Sequence, residues 1–265
     1  MLKRILTVCC AVGLTAATLA AAYDEQSAVA IISKLNDQAA RLVQGHGIVD
    51  TQIVAEGQKF LAETEFKTDT AKRRYLYIFR HLTFIANPKT TFAEWKAKFD
   101  AKYAELKFEK QSDTNTYLWM MMPWYAHHCF KDGYEFMVSL DDWKTFDDAP
   151  YWCISNGKYE EAWEAFLVNQ KQVSRIIKMC MVNLKDPAKA MTAAKTLVTR
   201  DCTANELTNG LIAIQDMMVN SGKFSDEQMK ELFIGLNRKY SGKLIDDEAT
   251  WTPVVKRIRT MLGTY

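Results

Sequence analysis

The residues best suited to bind a ligand lie between positions 117 and 163, where five of the seven tryptophans are found among several aspartates. Aromatic rings can stack on the C–H faces of sugars, and neighbouring carboxylates can accept hydrogen bonds from sugar hydroxyls. Two carboxylates held about 5–10 Å apart can also cleave a glycosidic bond as acid and base. The candidate binding residues are Trp124, Tyr125, Asp141, Asp142, Trp143, Asp147, Asp148, Tyr151 and Trp152.

A structural role explains most of this segment more simply. Aromatic residues fill the cores of helical proteins, and aspartates commonly cap helices or face solvent. A ligand-binding groove is the weaker interpretation, and catalysis the weakest. We therefore assign no catalytic residue, and a saccharide-binding or saccharide-cleaving protein stays an alternative.

Other reactive constellations are sparse. The chain has no Gly-x-Ser-x-Gly elbow, no His-Glu-x-x-His helix and no phosphate-binding loop. His127, His128 and Cys129 are consecutive, and consecutive side chains on a helix point in different directions. We predict no metal site and no cofactor.

The N-terminus has the pattern of a secretory signal peptide. Lys3 and Arg4 precede an apolar run that ends in small residues at Ala22, and the chain turns polar at Tyr23. We predict removal of residues 1–22, which leaves 243 of the 265 residues as one exported domain, 23–265, in the periplasm or outside the cell. No transmembrane segment is expected after that removal.

Charge argues against a nucleic-acid partner. Of 34 basic residues, Lys3 and Arg4 leave with the signal, so 32 remain against 32 acidic residues. A neutral domain lacks the basic surface of a nucleic-acid binder. One local basic group, formed by Arg73, Arg74, Arg80 and His81, is interpreted as a solvated helix face.

Cysteine usage leaves two questions open. Acylation at Cys9 or Cys10 would make the chain a lipoprotein, but only about four mostly apolar residues precede them, against the roughly 7–15 of a signal's apolar region. Four cysteines in the exported part permit two disulfides in three connectivities, although a buried thiol on an apolar stripe is ordinary. The four are Cys129, Cys153, Cys180 and Cys202.

Helical periodicity runs through the chain, and strand signals are nearly absent. Start signals recur in two forms, a hydroxyl residue three positions before Glu or Gln and a cap residue before a first-turn proline. They are Thr91/Glu94, Thr203/Glu206, Ser225/Gln228, Asp186-Pro187 and Thr252-Pro253. The seam from Tyr159 to Leu184, broken only at Gln170, predicts one helix of roughly 25 residues. The fold class is therefore all-α.

The segment Asn156–Phe166 resembles the centre of a tetratricopeptide-type repeat, with the pattern Gly-x-Tyr-x-x-Ala-x-x-x-Phe. Ser221–Phe224 carries a second Gly-x-aromatic turn, and Gly157 and Gly222 are 65 residues apart, about two repeat periods. Pro150 departs from the family pattern because it falls where the preceding arm should be helical. The resemblance implies stacked helical hairpins in an irregular tetratricopeptide (TPR)-like α-solenoid.

Such stacks usually serve as binding surfaces, so the leading prediction is an exported, non-enzymatic protein that binds another protein or peptide of the cell envelope. Tryptophan and tyrosine dominate the binding energy of many interfaces, which suits this function. A saccharide ligand for the segment 141–152 is the second prediction. A structural envelope component without a defined ligand is the third.

Overall fold

The computed structural model describes residues 21–45 and 47–265, and in these ranges the chain is almost entirely helical. The one pair of strands is two residues long on each side, with Ala21–Ala22 parallel to Thr64–Glu65. The all-α prediction is confirmed. The α-helices are α1 Glu25–Val43, α2 Thr51–Glu63, α3 Asp69–Ala86, α4 Phe92–Glu105, α5 Thr114–Met121, α6 Phe130–Val138, α7 Ala149–Ser155, α8 Tyr159–Asn169, α9 Val173–Met179, α10 Pro187–Thr199, α11 Ala204–Ala213, α12 Asp226–Tyr240 and α13 Glu248–Leu262.

Short segments of tighter or wider helix extend several of these elements. A π-helical turn, Cys180–Leu184, continues α9, and another, Ile214–Met218, continues α11. The 3-10 segments are His127–Cys129, Trp143–Thr145, Val219–Ser221 and Ser241–Leu244. Residues 1–20, which hold most of the predicted signal peptide, lie outside the described residues.

Local capping explains where most helices begin. All three predicted capping boxes are present, at the starts of α4, α11 and α12. Asp186 accepts a hydrogen bond from the amide of Lys189, with Pro187 in the first turn of α10. These side chains satisfy amides that have no partner within the helix.

The predicted start at Thr252-Pro253 is wrong. Helix α13 begins at Glu248, because Asp247 accepts the amide of Thr250 and thereby caps the helix five residues earlier. Pro253 lies inside the helix and removes only the one hydrogen bond that its amide would donate.

The predicted single helix from Tyr159 to Leu184 is also wrong. Gln170 and Gln172 both adopt left-handed backbone conformations, with φ of 53° and 60°, and they separate α8 from α9. The apolar periodicity runs across this break because both helices bury their apolar faces in the same core. Gln170, the only polar residue in the seam, marks the place where the helix ends.

Packing joins helices that are close in sequence. Helix α1 packs mainly on α3, with α2 against both, and α3 also contacts α4 and α5. Farther along, α7, α9, α11 and α13 contact one another in succession, and α10 contacts α12. One continuous cluster of buried apolar side chains runs from Ile31 to Met261.

Three interhelical turns after α7 share a left-handed residue. Gly157 has φ of 69° between α7 and α8, Lys185 has φ of 55° before α10, and Gly222 has φ of 66° before α12. The sequence shows no Gly-x-aromatic turn near Asp186-Pro187, yet the backbone there makes an equivalent left-handed turn. A left-handed turn between helices therefore occurs at Lys185 without the Gly-x-aromatic pattern in the sequence.

Substitution of Lys185 by glycine is expected to stabilise the protein by about 0.5–1 kcal/mol, because a side chain in the left-handed region costs roughly 1–2 kcal/mol and glycine escapes that cost at some loss of entropy. The opposite change, Gly222→Ala, should destabilise it by about 1 kcal/mol, since the space around Gly222 is open and only its φ opposes a side chain. Urea unfolding of both variants measures the two changes in the free energy of unfolding. Equal shifts of the same sign would contradict this account.

Cys129, Cys153, Cys180 and Cys202 are buried free thiols, so the predicted option of a disulfide is not realised in this structure. Burial raises the pKa of Cys129 to about 11 and those of Cys153 and Cys180 to about 12. Thiols that stay protonated in apolar surroundings are poor nucleophiles. They pack as small apolar side chains.

Candidate functional site

Two adjoining cavities, of about 410 Å³ and 500 Å³, form one open groove on the surface of α9 and α11. They share three polar residues, Gln172, Ser174 and Asn209. We call this the α9–α11 groove. Its first cavity also includes Trp119, Asp147, Asp148, Lys171, Arg200 and Glu206, and its second includes Arg175, Lys178, Ile212, Asp216 and Met217.

Helical periodicity places polar side chains in the groove. On α9 the intervening positions project outward, because the helix buries Val173, Ile176, Ile177 and Met179. Helix α11 in the same way buries Leu207 and Leu211. The groove is therefore lined by the solvent side of two amphipathic helices that share a core. The outward residues of α9 are Ser174, Arg175 and Lys178, and those of α11 include Asn209 and Ile212.

Close packing brings α11 against α10. A Cβ added to Gly210 would lie 2.6 Å from Cδ1 of Leu197, so only glycine permits this approach. Helices α9, α10 and α11 are thereby held together beneath the groove.

The junction between α8 and α9 has a strained backbone and several side-chain supports. Asn169 donates hydrogen bonds to the carbonyl oxygens of Lys144 and Phe146, at 3.2 and 2.7 Å, and accepts one from the amide of Lys171. Gln172, in the left-handed region, donates through Nε2 to Asp148. Non-glycine residues in this conformation persist only where surrounding contacts hold them, and they concentrate at functional sites.

Asp148 is a half-buried carboxylate of the groove. Burial raises its pKa above the ordinary value, and the adjacent Asp147 adds to that rise. The hydrogen bond from Gln172 and the charges of Arg175 and Arg80 oppose it. A carboxylate kept partly dry by its cavity interacts strongly with any charge placed beside it.

Replacement of Asp148 by asparagine is expected to stabilise the fold by about 0.5–2 kcal/mol at neutral pH. Because the folded chain binds the proton of Asp148 more tightly than the unfolded chain does, ionisation costs stability. That cost disappears as the pH falls through the raised pKa, and none remains below the unfolded value near 3.8. The advantage of Asp148→Asn should therefore shrink on acidification, as measured by urea unfolding of both proteins across this pH range.

The matched control is Asp147→Asn. This change removes the partner of Lys171, whose Nζ lies 3.8 Å from Asp147, and also the repulsion between Asp147 and Asp148, so it should stabilise the protein less than Asp148→Asn does. An Asp148→Asn variant less stable than the wild type at neutral pH would contradict the assigned burial cost.

The predicted binding residues divide into three groups in the structure. Asp147 and Asp148 line the groove. Tyr151 borders the groove, because the guanidinium of Arg175 lies 4.5 Å from the ring of Tyr151. The hydroxyl of Tyr151 donates a hydrogen bond to the carbonyl of Trp124, and Trp124 is 37% exposed. The residues of the third group lie outside the groove or are buried in the core.

Asp141, Asp142 and Trp143 lie at or beside the 3-10 segment Trp143–Thr145 and are not part of the groove. Tyr125 and Trp152 are buried in the core, and Trp152 has no exposed surface. Neither ring can offer a face to a ligand, so these two predictions are corrected.

Sequence reasoning missed several groove residues. Trp119, which is 39% exposed, was counted only as a member of the aromatic segment, although it lines the first cavity. No sequence motif pointed to Gln172, Arg175, Arg200 or Asn209. The one available signal was the polar interruption at Gln170, which stands at the strained junction.

The His127–Cys129 segment serves a structural contact. Nε2 of His128 lies 2.8 Å and Sγ of Cys129 lies 3.6 Å from the carbonyl oxygen of Thr90, and His127 packs its ring against Phe130. Two neighbouring side chains thus meet the same backbone group at the end of the α3–α4 turn.

Residues 21–45 and 47–265 contain no cluster of three or more potential metal ligands. None of the helices in that part of the chain is long and apolar enough to cross a membrane. In comparisons with protein-family models, curated proteins and solved structures, the chain matches none.

Proposed function

We propose that this chain is an exported, non-enzymatic binding protein that holds an extended segment of another protein in the α9–α11 groove. The observation that carries the proposal is the run of neutral polar side chains where the two cavities join. The carboxamides of Gln172 and Asn209 and the hydroxyl of Ser174 both donate and accept hydrogen bonds. A peptide backbone offers the same donors and acceptors in return.

The shape of the groove supports this class of ligand. Two joined cavities of about 410 and 500 Å³ on the surface of α9 and α11 suit a chain segment better than one compact molecule. Half-exposed Trp119 at one end and Ile212 at the other provide apolar contact beside the polar centre. Aromatic anchors of this kind contribute much of the affinity in protein interfaces.

The arrangement of helices is in keeping with an irregular TPR-like stack of hairpins. Contacts between helices one or two places apart, and left-handed turns at Gly157, Lys185 and Gly222, are features such stacks have. On this proposal α7, α9, α11 and α13 form the layer that bears the groove. The signal-like N-terminus supports a partner in the cell envelope or outside the cell.

A saccharide ligand is the second candidate, and Trp119 is the observation that favours it. Its partly exposed ring lies in one cavity with Asp147 and Asp148, as a sugar-stacking platform beside hydroxyl acceptors would. The burial of Trp152 and the position of Trp143 outside the groove reduce this support.

The test compares a blocked groove with an intact one. Asn209→Trp places an indole where the two cavities join, and Asn183→Trp places the same side chain at an exposed position outside the groove. Both proteins and the wild type are titrated against an array of synthetic peptides of about a dozen residues and an array of glycans.

We expect some peptides to bind the wild type and Asn183→Trp, and to lose at least about tenfold in affinity for Asn209→Trp, which corresponds to about 1.4 kcal/mol. Binding of glycans alone, with the same sensitivity, would replace the peptide proposal by the saccharide one. Peptide binding that Asn209→Trp leaves unchanged would reject the groove as the site.

A further inference from the structure

Charged side chains in the first cavity are paired, with one exception. Nζ of Lys171 lies 3.8 Å from Asp147, and Nη2 of Arg200 lies 3.0 Å from Glu206. Both cations of this cavity thus have a carboxylate partner. Within the described chain Asp148 has no ion-pair partner. It accepts a hydrogen bond from the neutral carboxamide of Gln172, and the charges of Arg175 and Arg80 act on it from beyond ion-pair distance.

The second cavity has the opposite imbalance. Arg175 and Lys178 are exposed, and neither makes an ion pair with any residue in the ranges that the structure covers. Arg175 is held in place by its contact with the ring of Tyr151. Asp216 is the single acidic residue there, so two cations face one carboxylate.

The groove is therefore dipolar, with one excess negative charge at Asp148 and one excess positive charge near Arg175 and Lys178. Burial of a lone carboxylate costs free energy that an incoming cation can recover. The exposed cations at the other end attract an anionic group in the same way.

Helix geometry gives the spacing along α9 of the residues that mark the two charged places. Gln172, which contacts Asp148, stands three residues before Arg175 and six before Lys178, or about 4.5 and 9 Å along the axis at 1.5 Å per residue. In an extended peptide, residues two positions apart point to the same side and are about 7 Å apart. The peptide spacing of about 7 Å lies between the spacings of about 4.5 and 9 Å along the helix.

We propose, building on the proposed function, that the groove selects an extended peptide in which a basic and an acidic residue are separated by one residue. The ammonium or guanidinium group pairs with Asp148, and the carboxylate pairs with Arg175 and Lys178. Lys171 and Arg200 do not repel the basic residue strongly, because Asp147 and Glu206 already neutralise them.

A set of matched peptides tests the charge pattern. Each has about a dozen residues with the same neutral background and carries Lys-x-Glu, Glu-x-Lys, Lys-x-Lys, Glu-x-Glu or no charge at the centre. Their affinities are measured by fluorescence anisotropy for the wild type, Asp148→Asn, Lys178→Glu and the control Lys230→Glu. Lys230 is an exposed residue of α12 outside the groove, so its substitution makes the same change of charge away from the proposed binding site.

For the wild type and Lys230→Glu we expect one of the two mixed-charge peptides to bind best, by about tenfold over the like-charged and uncharged peptides. Lys178→Glu should weaken that peptide and improve Lys-x-Lys, because the positive end of the groove becomes negative. Asp148→Asn should reduce the affinity for the mixed-charge peptide by about tenfold and improve Glu-x-Glu, because the carboxylate that repels one of its acidic residues is gone.

The two proposals fail in different ways. If the peptides bind with equal affinity whatever their charges, and Asn209→Trp weakens that binding, the proposed preference for a basic and an acidic residue is wrong and the peptide-binding groove stands. A preference that is the same in Lys178→Glu and the wild type would also overturn the charge pattern. If no peptide of the set or of the array is sensitive to Asn209→Trp, both proposals fail together.

Discussion

Replacement of Arg80 by leucine is expected to lower the free energy of unfolding by about 3 kcal/mol, because it leaves buried backbone carbonyls without donors at roughly 1–3 kcal/mol each. Nη1 of Arg80 lies 2.8 Å from the carbonyl oxygen of Trp119 and 3.4 Å from those of Met120 and Met122. Arg80 itself is only 6% exposed. Thermal and urea unfolding measure the loss.

The need for this arginine originates in the end of α5, because the last four carbonyls of a helix have no partner within it. Met122 leaves the helix in an extended conformation, and Pro123 after it has no N–H to donate. Arg80 supplies the missing donor from α3, while the indole of Trp95 donates to the carbonyl of Met121 at 2.9 Å. A cation also suits the negative end of the helix dipole.

Arg74→Leu provides the control from the same helix. Arg74 makes a partly exposed ion pair with Glu25, at 2.7 Å, and such pairs are worth about 0–1 kcal/mol. A loss for Arg80→Leu no larger than that for Arg74→Leu would contradict the capping role. Because Trp119 lines the groove, Arg80→Leu should also change the fluorescence of the folded protein.

Trp152→Ala is expected to cost about 3–5 kcal/mol, the range for removing a fully buried aromatic side chain. The indole has no exposed surface, and its ring centroid lies 4.8 Å from that of Phe130. If Trp152 were instead a ligand-binding residue on the surface, alanine would change stability by less than about 0.5 kcal/mol. Urea unfolding distinguishes these two cases.

A double-mutant cycle with Gly133 tests the packing directly. A Cβ at Gly133 would lie 2.4 Å from Cζ3 and 3.0 Å from Cη2 of Trp152, so Gly133→Ala should cost about 1–3 kcal/mol through overpacking. Phenylalanine lacks these distal ring atoms, and Gly133→Ala should cost less by about 1 kcal/mol in a Trp152→Phe background. Additive effects of the two changes would show that Gly133 and Trp152 are not packed as described.

Local signals proved reliable in the fold. The capping boxes at Thr91, Thr203 and Ser225 and the cap at Asp186 need only a few neighbouring residues, and all four are present. The same local reasoning failed at Pro253, where a stronger cap upstream began the helix earlier. It failed again at Gln172, because apolar periodicity continues across a break when both flanking helices face one core.

Burial of individual polar and aromatic residues was less accessible to sequence reasoning. Arg80 and His81 were interpreted as part of a solvated face, yet both are buried. Desolvation by burial, with the nearby charge of Arg80 as a smaller cause, lowers the pKa of His81 well below its ordinary value, so the imidazole is neutral. Helical spacing does not indicate which neighbour will cover a given face.

The amino-acid sequence by itself determined the helical fold class and most helix starts, because capping and amphipathic periodicity act over a few consecutive residues. The tertiary structure alone decided that Tyr125 and Trp152 are core, that Arg80 caps α5, and that a groove joins residues from Trp119 to Met217. Those outcomes depend on which surfaces meet when the helices pack, and the residues that meet are tens of positions apart in the chain.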